Sequence, residues 1–434
     1  IGTITLRQSA ENINEQVVIV GYGAVQRKNL TASVSSVKSS DVVKSTETSL
    51  NSALQGRAAG VDVISSEGGP APTVSITIRG GSSISASNEP LYVINGFPQL
   101  GGSNLNINVN DIESIDIIKD AAAAAYGSRG ANGVVLITTK SGKAGKFSIN
   151  YDAYVNKQYV NNQIPVMNAG QYAELQHFLR RSSEYGDTTM FKNWQNYADS
   201  PSINWQDRIM RTPLGQSHNL SLSGGTDKVK ILTSFGYFNQ PGIIIGTKYD
   251  RYTANFNIRA KFNKLLSNET TVYLAQGEKS GPEVNGAAGP TFSAIKAAPF
   301  IGSGFETLSD FLSQNLGFGG VYGVDPVVEL SDPDLKRTTF NGNLNTAFTF
   351  HLTEHLNLRV SGGLSKGNAE YKSFYPSTTS SGRMSNGSAY VSMNNSLNWL
   401  NENTLNYNNT FKGIHYLDAT LGFSMQKSTS NDYG

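Results

Sequence analysis

Histidine and glutamate residues in the last quarter of the chain match the pattern of a zinc site. His351, Glu354 and His355 form the run His-Leu-Thr-Glu-His, the spacing of zinc peptidases in which two histidines on one helix face bind Zn²⁺. This run crosses the end of one alternating segment, a tight turn and the start of the next. The two histidines would therefore not share a helix face, and we expect no metal site.

Two glycine-containing stretches resemble nucleotide-binding loops. The run 17–23, Val-Val-Ile-Val-Gly-Tyr-Gly, begins like a dinucleotide fingerprint, but Gln26 stands where the third glycine belongs and no βαβ pattern follows. The run 126–130, Tyr-Gly-Ser-Arg-Gly, lacks the Gly-Lys-Ser/Thr ending of a phosphate loop. We interpret it as a turn that docks against a barrel wall, and we expect no bound cofactor.

No other residues suggest catalysis, so we do not expect an enzyme. The five histidines are scattered, and none stands in an evident nucleophile–base arrangement. They are His177, His218, His351, His355 and His415. Cysteine is absent, which excludes disulfides, thiolate metal sites and a cysteine nucleophile. The formal net charge of +2 gives no reason to expect nucleic acid as a partner.

From Lys146 onward the chain alternates apolar and polar residues one by one. Between 252 and 262 the even-numbered positions are apolar and most odd-numbered ones polar, which is the period of a β-strand. Nine such strands are predicted, at 146–155, 217–224, 229–238, 251–262, 270–279, 340–352, 356–366, 398–411 and 416–427. No run of eighteen apolar residues is present, so we expect no transmembrane helix.

The predicted connections alternate between long and short. The long ones are 156–216, 239–250, 280–339 and 367–397, and the short ones are 225–228, 263–269, 353–355 and 412–415. Outer-membrane β-barrels have short periplasmic turns and long outer loops, so a transmembrane barrel is predicted. A soluble sandwich or propeller would explain the alternation but not long loops at one end only.

A barrel wall has one face toward lipid and one toward the lumen. The residues predicted to face lipid are Tyr252, Phe256, Ile258, Phe348, Phe350, Leu421 and Phe423. Those predicted to face the lumen are Asn255, Asn257, Arg259 and Asn345.

The first 145 residues indicate a small mixed α/β domain. Strands are predicted at 73–79, 91–94, 112–118 and 133–139, with a helix-favouring alanine run at 121–125. Its predicted strands also carry charged residues: Arg79, Glu113, Asp116 and Lys119. Such charges suit a domain lodged in the polar lumen of a barrel.

Four ordered motifs in this domain are similar to the plug signature of SusC-like (SusC/RagA type) TonB-dependent outer-membrane transporters. They lie at 51–61, 76–80, 90–98 and 110–140. The signature positions are Gly56, Arg79, Gly80, Asn95, Gly96, Asp111, Ile112, Lys119, Tyr126, Gly127, Arg129, Gly130, Asn132 and Gly133. The likeness continues at 217–225 and 233–239. Asn95 departs from the aspartate expected in the family, although asparagine also suits such turns.

The resemblance implies the fold and the domain order. It implies a large membrane β-barrel, with about 22 strands when complete, and an N-terminal mixed α/β plug in its lumen. The implied order is 1–14 as the exit linker of a preceding small domain, 15–28 as the TonB box region, 29–145 as the plug and 146–434 as barrel. Because only nine strands are predicted here, we expect the chain to be the N-terminal part of a larger protein.

The resemblance also implies a function. The family imports oligosaccharides or peptides across the outer membrane of Gram-negative cells, driven by the TonB complex and assisted by a SusD-like surface lipoprotein as a lid. The TonB box corresponds to Glu15, Gln16, Val17, Val18, Ile19 and Val20, a short apolar segment suited to β-augmentation. A passive receptor or assembly scaffold with a fixed plug is the alternative. Surrounding outer-membrane lipid is a further expected partner.

Substrate is expected to meet the outer plug surface and the long loops. Loops 82–89 and 99–106 are the plug candidates, because amides and rings there suit sugars or peptides. The candidate residues are Ser82, Asn88, Phe97, Asn104, Phe318 and Tyr322.

Overall fold

The computed structural model describes residues 17–20, 23–26, 34–38, 50–66, 68–99, 106–181, 193–284, 289–299, 325–383, 385–411 and 415–434. Its two largest sheets are a five-stranded mixed sheet within 34–139 and a nine-stranded antiparallel sheet within 145–433. No helix within the described ranges is long and apolar enough to cross a membrane.

Short strands make up the N-terminal region. They are β1 Val17–Val20, β2 Gly23–Gln26, β3 Val34–Lys38, β4 Val61–Ser65, β5 Val74–Ile78, β6 Leu91–Ile94, β7 Phe97–Pro98, β8 Ile112–Ile118 and β9 Val134–Thr139, with helix α1 at Leu50–Ala53 and 3-10 helices at Val109–Asp111 and Asp120–Gly130. The sheet order is β3-β8-β9-β6-β7, with β6 and β9 parallel and the other pairs antiparallel. Strands β4 and β5 form a separate hairpin, as do β1 and β2.

Strands β6 and β9 of the plug sheet are buried along most of their length, as their near-continuous apolar sequences favour, whereas β8 alternates buried isoleucines with polar residues. Ile115 belongs to a core cluster with Leu50 and Ile76, while Tyr126 packs in a second cluster with the start of β9. Tyr273 of the large sheet belongs to the first cluster. The large sheet therefore helps to complete the core of the plug.

The alanine run that favours a helix lies in a 3-10 helix, Asp120–Gly130. Gly127 interrupts it with φ 65° and ψ −153°, a conformation that glycine adopts readily. A Cβ on Gly130 would collide with the carbonyl oxygen of Ala123. The segment thus folds back closely on itself at its C-terminal end, as the interpretation of 126–130 as a turn requires.

All nine predicted strands of the large sheet are present. They are β10 Gly145–Lys157, β11 Leu214–Gly225, β12 Val229–Pro241, β13 Lys248–Lys261, β14 Leu266–Ser280, β15 Asp334–His351, β16 Leu356–Tyr375, β17 Ser388–Phe411 and β18 His415–Tyr433. Each pairs antiparallel with the next, and β10 and β18 are the two edges of the described sheet. The sheet, called the barrel wall below, is therefore part of a barrel and not a closed one.

Two of the connections predicted to be long are shorter than predicted. The predicted loop 239–250 shrinks to 242–247, and the predicted loop 367–397 shrinks to 376–387. Strands β16 and β17 remain paired beyond the apolar band of the barrel. Both faces of a strand can meet water there, so the alternation of apolar and polar residues is lost although the hydrogen bonding continues. The connections 158–213 and 281–333 are long, as predicted. We call this end of the wall the loop end and the other the turn end.

The two faces of the wall follow the predicted parity. Tyr252 is 56% exposed on the outer face, whereas Asn255 is fully buried on the inner face. The other residues assigned to lipid are also exposed, and Asn257 and Asn345 are buried against the interior. Arg259 faces inward near the turn end, where its guanidinium donates to the Ser141 hydroxyl at 2.9 Å.

Helices from the long connections pack together at the loop end. They are α2 Ala169–Arg181, α3 Trp205–Ile209, α4 Pro290–Lys296 and α5 Pro326–Ser331, with a 3-10 helix at Trp194–Tyr197; a further short helix, α6, lies at Ser380–Arg383. Trp205, Ile209 and Leu330 form the centre of their apolar core, and the Trp205 indole donates to the Ala298 carbonyl at 2.7 Å. We call this unit, α2 to α5, the cap. The alternation analysis did not predict it, because it treated these residues only as loops.

Candidate functional site

The turn between β6 and β7 is built by Asn95 and Gly96. Their φ angles are 50° and 84°, the left-handed pair that a two-residue hairpin turn of type I′ requires. The Asn95 side chain donates to the Thr139 hydroxyl at 2.8 Å and accepts from the Thr139 amide at 2.9 Å. Asparagine can donate and accept here, so its replacement of the expected aspartate fits the turn.

Phe97, which follows this turn, is buried. The Arg359 guanidinium lies over its ring at 5.8 Å, and a Cβ on Gly363 would approach the ring to 3.1 Å. Phe97 therefore packs the plug against β16. This packing gives no support to its expected role in contacting substrate.

The segment Asn106–Asp111, called the anchor segment below, joins the plug to the barrel wall. The Asn108 amide N–H donates to the Tyr273 hydroxyl at 2.8 Å, and that hydroxyl donates to the Asn106 carbonyl at 2.6 Å. The Asn108 side chain donates to Asn219 Oδ1 at 2.8 Å, and the Asn106 side chain donates to Thr339 Oγ1 at 3.2 Å. Through Asn106 and Asn108 the anchor segment thus makes polar contacts with strands β11, β14 and β15 of the wall.

Asp111 closes the anchor segment and has a strongly perturbed carboxyl group. Its carboxylate accepts from the Ser234 hydroxyl at 2.5 Å, while Oδ2 has no hydrogen-bond partner among the described residues. Burial raises the pKa of Asp111 to about 6, against the opposing effects of the Ser234 hydrogen bond and of the charges on Lys140 and Arg251. The group therefore changes charge in a buried interface near neutral pH.

Lys119 and Asp116 find their partners inside the plug. The buried Lys119 ammonium donates to the Ser35 hydroxyl at 2.7 Å and to the Ala59 carbonyl. Asp116 accepts from the Ser36 hydroxyl. These hydrogen bonds tie β3 and the chain before β4 to the end of β8, so both charges stabilise the plug itself.

Several signature residues form turns rather than a common site. Arg79 and Gly80 follow β5 with φ of 57° and 91°, and Gly56, φ 70°, lies in the turn after α1. The Arg129 guanidinium donates to Gln426 Oε1 on β18 at 2.7 Å. The turn 126–130 therefore docks against the barrel wall. Ile112 and Gly133 are buried in the plug.

Loop 82–89 is held by two asparagines. Asn88 Oδ1 accepts from the Ser82 and Ser83 amides at 2.8 and 2.9 Å, and Asn132 donates to the Ser87 carbonyl at 2.9 Å. These bonds occupy Asn88 in shaping the loop. The residues assigned to substrate at Ser82 and Asn88 thus serve the loop in this structure.

The end of the plug that meets the loop end of the wall is the tip of the β4–β5 hairpin, 66–73. A Cβ on Gly242 would lie 2.9 Å from Pro70 Cγ, so this tip packs against the connection 242–247. The sequence interpretation missed 66–73, although its Gly68-Gly69-Pro70 run is a loop signal.

Of the remaining predicted residues, the structure describes only some. Val17–Val20 forms β1 and pairs with Gly23–Gln26, so the segment expected to extend freely is paired with the residues beyond its glycine exit. Pairing satisfies backbone donors and acceptors that a lone strand leaves open. Glu15, Gln16, Asn104, Phe318 and Tyr322 lie outside the described residues.

Comparison with curated proteins identifies relatives along almost the whole chain. A family model described as TonB-dependent Receptor Plug Domain matches residues 26–134. The chain is 33% identical over 429 residues to TonB-dependent receptor P3 of Formosa agariphila, covering 97% of this chain and 41% of that protein. It is 30% identical over 393 residues to TonB-dependent receptor SusC of Bacteroides thetaiotaomicron, covering 83% and 37%. The chain thus spans about two fifths of the length of these relatives.

A solved structure has the same fold. The RagAB peptide importer in its open-open state matches with a TM-score of 0.77 and 22% identity over 96% of this chain and 50% of that one. These relatives are receptors and an importer rather than enzymes. Because identity of about 30% extends from the plug through the barrel strands and the fold agrees over the same length, the chain belongs to the SusC-like TonB-dependent receptors, which are outer-membrane proteins.

Proposed function

We propose that this protein actively imports oligosaccharides or peptides across the outer membrane, with energy supplied through the TonB complex. The observation that carries the proposal is the polar attachment of the plug to the wall by the anchor segment. Each of these hydrogen bonds can be exchanged for one with water, so displacing the plug costs little free energy per bond. A plug attached in this way can be remodelled by force. The alternative is a passive receptor or scaffold whose plug never moves.

The topology supports a path for that force. We assign 15–28 to the TonB box region, 29–145 to the plug and 146–434 to the barrel, with 1–14 as a linker from a preceding domain. Strand β3 is the first strand of the plug sheet along the chain and lies at its edge, paired only with β8. Tension applied at the box therefore reaches β3 first. Peeling an edge strand breaks its backbone bonds one after another rather than all at once.

The state of the box is part of this proposal. In the structure β1 is paired with β2, and addition to a partner sheet requires an open strand edge. TonB can use the unpaired edge of β1 or replace β2. Either way the backbone N–H groups of Val17–Val20 provide the bonds, so the segment needs no particular side-chain chemistry.

A SusD-like lipoprotein is proposed to cover the cap. The extended segment before α2 exposes Ile164, Val166 and Met167, and α2 exposes Phe178. Apolar side chains exposed together on an outward-facing unit suit a partner surface. Substrate would be enclosed between this lid, the cap and the plug tip 66–73, with Asn104, Phe318 and Tyr322 as further proposed contacts. The RagAB structure is of a peptide importer, which keeps peptide among the proposed substrates.

Deletion of the box tests the proposal. Cells producing the protein without Glu15–Val20 should bind substrate at the surface but lose uptake, because β1 lies outside both the plug sheet and the barrel wall. Val18→Pro should also impair uptake by removing one backbone donor, whereas Val18→Ala keeps that donor and serves as the control. Uptake of labelled oligosaccharide or peptide is measured beside surface binding. Wild-type uptake by the deletion variant would contradict active transport and favour the passive receptor.

A further inference from the structure

A groove crosses the outward face of the barrel wall between β11 and β15. Its cavity volume is about 500 Å³, within the roughly 300–1,000 Å³ of ligand pockets. Leu220, Phe235 and Leu274 form its walls together with Phe340, and Ala254 lies among them as the smallest outward side chain. Leu220, Phe235, Ala254 and Leu274 are direct neighbours on paired strands. Phe340 lies two residues from Gly342, the partner of Leu274, and therefore shares their face. The groove is therefore apolar and opens away from the plug.

Gly342 extends the floor of this groove toward β16. A Cβ at this position would lie 3.3 Å from the Phe340 ring and 3.4 Å from Leu274 Cδ2. Glycine thus lets the Phe340 ring fold over the floor without crowding Leu274. The partner of Gly342 on β16 is Lys366, so this lysine stands in the same cross-strand row as Leu274 and Ala254.

An aromatic row borders the groove on the side of the loop end. The rings of Tyr151, His218, Tyr237 and Tyr252 follow one another across β10 to β13, with centroid distances of 6.1, 6.3 and 5.1 Å. The Tyr237 hydroxyl donates to Asp250 at 3.3 Å. Rings with polar tips mark the membrane interface of outer-membrane barrels. The groove therefore lies just within the apolar band, under its outer boundary.

Lys366 provides a cation at the same level. It shares the outward face with Leu364, two residues away, and it is exposed. Lys366 lies 10 residues beyond Leu356, the first residue of β16. With a rise of about 3.3 Å per residue and a tilt of about 40°, that is roughly 25 Å from the turn end, the height of the apolar band.

The outward lysines nearby differ from Lys366 in having acidic partners. Lys336 pairs with Glu278 at 2.8 Å, and Lys372 pairs with Glu370 at 2.9 Å. Among the described residues no ion pair is recorded for Lys366. Its ammonium is therefore available to an anionic group in the head-group layer.

We propose that the groove and Lys366 together bind an anionic lipid of the outer leaflet, with one acyl chain lying over Ala254 and Gly342 and the phosphate of a head group of net negative charge on Lys366. The occupant is a lipid because the wall lies in the outer membrane, the lining is apolar, and the free cation stands where the head group must be. This site depends on the membrane placement of the wall and not on the transport function.

The test compares lipids retained by the intact protein purified in a mild detergent. Native mass spectrometry with added phosphatidylglycerol and phosphatidylcholine should show preferential retention of the anionic lipid by the wild type. Lys366→Gln should lower this preference about fivefold, the effect expected of one lysine near a charged lipid surface. Lys372→Gln, on the same face of the same strand, is the matched control and should leave it unchanged. Ala254→Phe fills the groove and should reduce retention of both lipids.

Equal retention of the two lipids by the wild type would overturn the proposal, as would an unchanged preference in Lys366→Gln. Folding of each variant is checked by its resistance to unfolding in unheated detergent gels. If Ala254→Phe does not fold, Leu274→Trp fills the same groove from its wall and replaces it. A dimer of the protein without bound lipid would assign the groove to a second copy instead and would also overturn the proposal.

Discussion

At the residue scale, Asp111 makes the attachment of the plug dependent on pH. Its folded pKa of about 6 lies above the ordinary value of 3.8, so the folded protein holds a proton that the unfolded chain has lost. The stabilisation by the protonated form is complete below about pH 3.8 and is lost as the pH rises through about 6. The shift of roughly two units corresponds to about 3 kcal/mol.

The corresponding prediction concerns the free energy of unfolding. It should fall by about 3 kcal/mol between pH 4 and pH 7 in the wild type and change less in Asp111→Asn, which keeps an acceptor for Ser234 but cannot ionise. Denaturant titrations of the protein in micelles at several pH values measure this. Parallel pH profiles for the two proteins would show that Asp111 does not titrate in the interface.

At the element scale, the anchor segment joins plug and wall through side chains that are buried with it. Asn108→Ala removes the side-chain amide that donates to Asn219 Oδ1 and leaves the backbone bond to Tyr273 in place. It should cost about 1–3 kcal/mol of plug attachment, because a buried acceptor that loses its donor keeps the cost of its lost hydration. Asn110→Ala is the matched control, since no hydrogen bond of its side chain is recorded in the structure. Hydrogen exchange at β8 measures the attachment. Equal exchange in both variants would contradict the role of the anchor segment.

The strands of the wall allow a second test at this scale. Phe256 and Phe350 both face outward, but Phe256 lies five residues from the end of β13 and Phe350 one residue from the end of β15. Arginine at position 256 should therefore cost about 2–4 kcal/mol of barrel stability, and arginine at position 350 about 0–1 kcal/mol. Folding titrations into lipid vesicles compare the two. Equal costs would mean that the depth assigned to the strands is wrong.

At the scale of the whole molecule, the plug, the wall and the cap occupy different positions and have different roles. The plug fits against the inner face of the wall, the cap gathers the long connections at the loop end, and the outer face meets the outer membrane. The described wall is an open sheet, and the chain spans about two fifths of its curated relatives. The lid, the substrate and the energy source are accordingly proposals about the whole protein.

The sequence by itself determined the strands and their faces. Alternation is a local property, so nine strands and the outward position of residues such as Tyr252 and Leu421 could be predicted from short windows. The Asn95-Gly96 turn could also be predicted, because its left-handed backbone conformation favours these residue types. Both faces of β16 and β17 become polar toward the loop end, so the alternation of apolar and polar residues ends there. The strands predicted from that alternation were therefore too short.

Only the tertiary structure decided which residues meet. Asn108 is 111 residues from Asn219 and 165 from Tyr273, and no periodicity marks either pairing. The cap core likewise joins Trp205 and Leu330 across segments that were interpreted as separate loops. Such contacts arise because the sheet packs against the plug and brings distant segments together, and a polar side chain carries no local sign of the partner it will find. Prediction from the sequence is therefore limited by the range of the contacts. A strand can be predicted from residues that are adjacent along the chain, whereas the site is formed by residues that are distant in sequence and adjacent only in space.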